Sequence, residues 1–134
     1  MSDYSQMYME MAEVAAKSSL ANRLKVGSII VKENTVISMG FNGTPKGWPT
    51  NVCEGPDGLT LPEVLHSEMN SLAAALRSGN STKGATIYIT HSPCDNCAKH
   101  LVAAGIEMVY YRYQYRCSKG IELLTKAGIP CKRI

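Results

Sequence analysis

Apolar side chains set out the first element. Along residues 3–17, Tyr4, Met7, Tyr8, Met11, Val14 and Ala15 recur at steps of three and four. That spacing predicts an amphipathic helix with this face buried. A β-branched run at 26–31 predicts a strand and 35–41 a second, with Glu33-Asn34 suited to the hairpin turn between them. Residues 42–60 are rich in Gly, Pro, Asn and Asp and form the longest irregular stretch; long ordered loops in compact domains often carry function. Beyond it the pattern predicts a helix over 69–76 stopped by Gly79 and a strand over 85–90. A helix over 94–104 ending at Gly105 and a strand over 106–111 come next. A helix over 119–127 ending at Gly128 and a short strand over 129–134 complete the chain. The order is α-β-β-α-β-α-β-α-β. Its second half alternates, which predicts βαβ crossovers and parallel pairing there. The expectation is an α/β fold in which helices cover both faces of a mixed sheet, in a single domain spanning 1–134.

Composition narrows the class. The chain has 134 residues, 45% of them hydrophobic, so a core forms without disulfides; a domain of this size buries roughly two-thirds of its unfolded surface. The formal net charge is +3. Lys and Arg are scattered, with small groups at Arg23/Lys25 and Lys132/Arg133. This suits a solvated surface or a small phosphate-bearing ligand, and does not call for a nucleic-acid partner. The N-terminal stretch carries Asp and Glu and lacks an apolar signal-peptide region. No apolar run approaches the roughly 20 residues of a membrane span. These features predict a cytoplasmic protein with no membrane partner and with reduced thiols. Of its five cysteines, Cys94 and Cys97 form a Cys-x-x-Cys pair, which in a reducing compartment points to metal or redox chemistry.

The segment Ser92-Pro93-Cys94-Asp95-Asn96-Cys97 opens a predicted helix. Ser92 suits its N-cap, Pro93 its first position and Asp95 the place of a capping-box partner. Three residues turn a helix by about 300°, so both sulfurs share a face, and the helix N-terminus favours thiolates. The pair alone fits a redox dithiol as well as a metal site. His66-Ser67-Glu68, before another helix and one strand away, decides between them. One His and two Cys leave a tetrahedral zinc with an open position, the mark of a catalytic site. His-x-Glu followed by Pro-Cys-x-x-Cys is the signature of zinc deaminases, in which the Glu is no ligand but moves protons.

On this reading His66, Cys94 and Cys97 bind one zinc per chain and Glu68 is the catalytic acid–base. Zinc lowers the pKa of water from about 15.7 to about 7. The resulting hydroxide would attack C4 of a cytosine ring while Glu68 carries the water proton to N3 and then to the departing amino group. Thr60-Leu61-Pro62-Glu63 also resembles a helix start, and one helix over 61–78 would set His66 and Glu68 about 200° apart. The chemistry therefore predicts a break just before His66, with 61–65 a separate turn. His91 and His100 read as structural, and Cys53, Cys117 and Cys131 as structural or free thiols.

These residues resemble the cytidine deaminase superfamily, and more closely the deoxycytidylate (dCMP) deaminases. The markers are Val26-Gly27-Ser28-Ile29-Ile30-Val31, Gly40-Phe41-Asn42-Gly43-Thr44-Pro45, His66-Ser67-Glu68-Met69-Asn70 and Ser92-Pro93-Cys94-Asp95-Asn96-Cys97-Ala98-Lys99. The resemblance implies a three-layer α/β/α sandwich with a five-stranded sheet. It implies hydrolysis of dCMP to dUMP and ammonia, which supplies dTMP synthesis, by a homo-oligomer, often a hexamer. It also implies regulation by dCTP and dTTP through the loop Gly40, Phe41, Asn42 and Gly43, where the family usually has Tyr in place of Phe41. By position, Asn42 would contact the sugar, Val26 would pack on the base and Ser67, usually Ala in the family, would lend backbone contacts. Asn70, Tyr111, Arg112 and Tyr115 are the candidates for the rest of the substrate, phosphate included; the run Tyr110–Arg116 ends a strand, where open α/β sheets bind ligands. Three rivals stand beside this reading: the same chemistry on tRNA adenosine or on a free base or nucleoside, a zinc-stabilised binding module closed by a fourth ligand such as His91, and a metal-free redox dithiol.

Overall fold

The structure, a computed structural model, describes residues 4–134. Helix α1 spans Ser5–Ala16, and strands β1 (Gly27–Lys32) and β2 (Thr35–Phe41) follow. Then come α2 (Ser67–Arg77), β3 (Thr86–His91), α3 (Asp95–Ala103), β4 (Met108–Tyr113), α4 (Lys119–Lys126) and β5 (Cys131–Arg133). Residue 3, the predicted first residue of the first helix, lies outside the described residues. The hairpin turns at Glu33 and Asn34, both with positive φ (51° and 59°); Asn adopts that conformation readily, as a two-residue hairpin turn requires.

The sheet order is β2-β1-β3-β4-β5. β1 is antiparallel to β2 and β3, whereas β3, β4 and β5 run parallel. The βαβ alternation of the second half thus gives the expected mixed five-stranded sheet. Side chains alternate across it. Ile30, Ile87, Ile89 and Val109 face α2, α3 and α4, and pack there with Ala98, Leu101 and Leu124. Ile29, Val31, Tyr88 and Tyr110 face α1 and pack on Tyr8, Met9 and Ala12. Among the described residues, no helix is long and apolar enough to cross a membrane.

Two expectations are corrected. The buried face of α1 is Ser5, Tyr8, Met9, Ala12, Ala15 and Ala16, while Tyr4, Met7, Met11 and Val14 are exposed. Alanines take the part of this face that lies directly on β1: a Cβ at Gly27 would sit 2.0 Å from Ala12 O and 2.4 Å from Ala16 N. Tyr8 and Met9, also on this face, pack with Ile29, Val31 and Tyr88. The last two strands also start two residues later than predicted, at Met108 and Cys131. Ile106 and Ile129 instead donate their N–H groups to Leu101 and Leu124, sealing the ends of the preceding helices.

The Gly27 contact gives a direct test. Gly27→Ala should destabilise the fold by about 3 kcal/mol, because helix backbone cannot yield to the added methyl; urea unfolding of both proteins measures the loss.

Candidate active site

Two helices begin at the same end of the sheet, and each opens on a metal-binding side chain. His66 occupies the N-cap of α2 in an extended conformation (φ −67°, ψ 158°). Cys94 occupies the N-cap of α3 in nearly the same conformation (φ −71°, ψ 169°). Its Sγ accepts the Cys97 N–H at 3.4 Å. Cys94 therefore caps the helix where Ser92 was expected to. Ser92 Oγ accepts instead from the Tyr115 N–H at 2.6 Å, which ties the loop after β4 to the segment before the cysteines. Pro93 precedes the cap, and Asp95 is the first helical residue.

The break before His66 is present and has a clear cause. Leu65 N–H donates to Gly43 O at 2.8 Å, and Gly43 N–H donates to Leu65 O at 3.1 Å. With both backbone groups of Leu65 committed to a β-bridge, no helix can run through it. Residues 61–64 form a turn closed by Val64 N–H to Leu61 O. His66 and Glu68 then stand at and just inside a helix start and converge.

His66 Nδ1 lies 3.6 Å from Cys94 Sγ and 3.3 Å from Cys97 Sγ, and the three donors all fall within 4.8 Å of one another. Among the described residues this is the one His/Cys/Asp/Glu group found with metal-binding geometry. One nitrogen and two sulfurs suit zinc, with the fourth position left to solvent or substrate. His91 does not join this donor group; its Nδ1 is engaged by Thr90 Oγ1 at 2.9 Å. The electrostatics suit a cation. Hydrogen bonds from Cys97 and His66 pull the Cys94 thiol down to about 4. The shared hydrogen bond with Cys94, burial and the Glu68 carboxylate push Cys97 up, so it holds its proton until a metal displaces it. Glu68 is buried, and that burial raises its carboxyl above the ordinary range against the pull of its own N–H and of His66.

His66, Cys94 and Glu68 line a cavity of about 550 Å³, and Cys97 is buried behind them. Val26, Asn42, Ser67 and Tyr115 line it as well. Asn42 also knits the wall together: its Oδ1 accepts from Val26 N–H at 2.9 Å and its Nδ2 donates to Leu24 O at 2.7 Å. The other expected residues are engaged elsewhere. Arg112 shares a face of β4 with Tyr110 and reaches α1, donating to Gln6 Oε1 at 2.8 Å with Glu13 4.0 Å away. The pleat sends it to the face opposite the cavity. Tyr111 is buried and does not line the cavity. Asn70 donates to Phe41 O and Gly43 O, holding the Gly40–Gly43 loop against α2. Gly40 is buried under that helix, where a Cβ would meet Ser71 N at 2.6 Å.

The cavity holds residues that sequence reasoning missed. Arg23 and Arg116 stand on its wall with Glu54, whose Oε2 accepts the N–H groups of Asn22 and Arg23 at 3.0 and 3.4 Å. His91 also lines it. A signal existed for each cation, since Arg23 lies in a small basic group and Arg116 closes the aromatic run after β4. For His91 the signal was parity with the core residues Ile87 and Ile89 on β3.

The α4 start also bears on the donors. A Cβ at Gly120 would lie 1.9 Å from Pro93 O and 2.8 Å from Cys94 O. Gly120→Ala should therefore displace Cys94 and weaken zinc retention by about tenfold or more, as loss of ligand support does; competition with a chromogenic chelator measures it. In zinc-stripped protein, iodoacetamide at neutral pH should modify Cys94 first, because its thiol is held near 4 while burial holds Cys131 up at about 11; peptide mapping with and without added zinc checks the order.

Comparison with known proteins agrees with this geometry. Residues 2–113 match the family model for the cytidine and deoxycytidylate deaminase zinc-binding region. The crystal structure of dCMP deaminase from the cyanophage S-TIM5, in complex with dCMP and dUMP, superposes with a TM-score of 0.95 at 41% identity, covering 100% of this chain and 99% of that one. ComE operon protein 2 of Bacillus subtilis is 33% identical over 98% of this chain and 71% of its own length. Deoxycytidylate deaminase of Enterobacteria phage T4 is 28% identical over 90% of this chain and 84% of its own. With a zinc-binding His-Cys-Cys group at the head of two helices, the chain belongs to the cytidine and deoxycytidylate deaminase family.

Proposed function

We propose that this protein hydrolyses dCMP to dUMP and ammonia, a step that supplies dTMP synthesis. The observation that carries the reading is Glu68, a buried carboxyl on the cavity floor beside three convergent metal donors. Likeness to dCMP deaminases across the whole length of the chain supports the substrate.

Zinc held by His66, Cys94 and Cys97 would polarise a water and so make a hydroxide accessible near neutral pH. The chain's own residues do the rest. Glu68 takes the water proton and delivers it to N3 as water oxygen adds to C4. It then takes the proton of the new C4 hydroxyl and passes it to the exocyclic amino group, and the C4–N bond breaks as the C4 carbonyl forms, releasing ammonia. Burial raises this carboxyl above the ordinary range, which makes its carboxylate a stronger base toward the water proton than an exposed one. The Ser67 N–H lies in the first turn of α2, has no intrahelical acceptor and can donate to the base carbonyl. Val26 packs on the ring and Asn42 stands beside the sugar.

The phosphate falls to Arg23 and Arg116, which line the cavity with Tyr115; this assignment replaces Arg112, Tyr111 and Asn70. Two guanidinium groups balance a monophosphate dianion. The same reading extends to dCTP and dTTP as effectors at the Gly40–Gly43 loop and to a homo-oligomer, with a hexamer favoured, in which the exposed α1 stripe of Tyr4, Met7, Met11 and Val14 is a natural contact face. A net charge of +3 without a dense basic stripe supports a small nucleotide over tRNA.

Ammonia release from dCMP, deoxycytidine, cytosine and tRNA, repeated with dCTP and dTTP, tests the reading; turnover of tRNA adenosine alone would replace it. Glu68→Gln should keep one zinc per chain and lose turnover by about 10²–10⁴-fold, read as metal content beside ammonia release. Arg23→Ala and Arg116→Ala should each raise KM for dCMP about tenfold, at roughly 1.5–3 kcal/mol per charged hydrogen bond, with deoxycytidine kinetics unchanged.

A further inference from the structure

Three serine hydroxyls meet under the first turn of α2. Ser28 of β1 and Ser67 and Ser71 of α2 are each fully buried, at 0% exposure. Ser28 Oγ lies 2.7 Å from Ser67 Oγ, 3.1 Å from Ser67 O, and in hydrogen-bond contact with Ser71 Oγ. Ser67 Oγ donates to Gly40 O at 3.1 Å. Each hydroxyl carries one proton. The Gly40 carbonyl can only accept, and it takes the Ser67 proton. Ser28 Oγ can donate to Ser67 Oγ or to Ser67 O, and Ser71 Oγ can donate to Ser28 Oγ or, at 3.4 Å, to Ser28 O. The network crosses from the second turn of α2 through β1 back to the first turn and ends on β2.

The same spot is where the helix touches the sheet. A Cβ at Gly40 would lie 2.6 Å from Ser71 N and 2.7 Å from Ser67 O. Backbone contact at Gly40 fixes how deep α2 sits, but a cylinder resting on a surface can still roll. The hydroxyl chain opposes rolling, because it holds two successive turns at off-axis points. Ser67 stands between the metal donor His66 and the proton carrier Glu68. With Cα atoms about 2.3 Å from the helix axis, a 20° roll would move the Glu68 Cα by roughly 0.8 Å, and its carboxyl further. Displacements of about 1 Å at reacting groups can cost about 10²-fold in rate.

We propose that Ser28 and Ser71 are positioning residues whose hydroxyls, acting through Ser67, fix the roll of α2 and so set where the Glu68 carboxyl meets the substrate. The proposal rests on the deaminase reading, with Glu68 as the proton carrier. Ser67→Ala leaves Ser28 an acceptor in the residue 67 carbonyl, so its effect is the mildest of the three. Ser28 is the hub, and its loss is felt most.

The test uses the full chain loaded with zinc, with dCMP as substrate, well below the Tm of each variant. Ser28→Ala and Ser71→Ala should each lower kcat about tenfold while KM stays within about twofold and zinc stays at one per chain. Ser28→Ala should cost less in a Ser67→Ala background than alone, because the two act along one path. A lowered Tm with kcat unchanged in the folded variants overturns the proposal and leaves the serines as packing; so does a rise in KM in place of the fall in kcat. If Ser28→Ala does not fold, Ser71→Ala decides alone, since it removes one terminal hydroxyl and leaves Ser28 with its acceptor. Wild-type protein without turnover on any cytosine substrate would instead refute the deaminase reading itself.

Discussion

The reach of His66 to both thiols, 3.6 and 3.3 Å, is the contact on which the remainder of the site depends. It requires two helices, separated in sequence by a strand, to start within one ion's span of each other. The sheet makes this possible because β1 and β3 are neighbours, so α2 and α3 lie over adjacent strands and open at the same end. Both helix N-termini then stand beside the same donor group. Their combined positive field favours the Cys94 thiolate and partly offsets the burial of Glu68. The metal-donor set and the ionisation of its thiols are consequences of that one convergence.

Each helix start is held by backbone that tolerates no side chain. Gly40 admits α2 to the sheet, and Gly120 admits the first turn of α4 to the Pro93-Cys94 carbonyls. These approaches shape the donor triangle before any metal arrives. A site preassembled in this way spends less of the binding free energy on ordering its ligands.

Much of this was legible in the chain, and the reasons differ by residue. The zinc donors and Glu68 could be read because metal chemistry restricts residue type and spacing together. The alternation of strands and helices gave the parallel half of the sheet. The helix break before His66 followed from chemical necessity, although its cause, the Gly43–Leu65 bridge, joins residues too far apart for local pattern to reveal. The α1 face was misread because periodicity marks apolar residues without saying how close the helix must come to the sheet; Gly27 holds that information from a distant position. Ser92 was misread as a cap because Cys94, a poor cap by statistics, was already placed by its ligand role. Arg112 was set toward the cavity by its neighbourhood, and the two-residue period of β4 sends it the other way. Arg23 and Arg116 come from opposite ends of the chain, and only the fold brings them to one wall.

The bridge between Gly43 and Leu65 has a further consequence. Residues 44–64 run along the cavity, where Cys53, Glu54, Thr60 and Val64 line it, and return to adjacent points joined by a reciprocal pair of hydrogen bonds. The excursion is thus closed at its neck, and the helix start at His66 is insulated from what happens further out. Lengthening a closed loop costs little, about 0.6 kcal/mol for each doubling. The rim of the cavity can therefore be rebuilt by insertion or deletion while the catalytic floor keeps its geometry. Substrate range in this fold is free to drift where the chain is least constrained, with the chemistry held fixed beneath it.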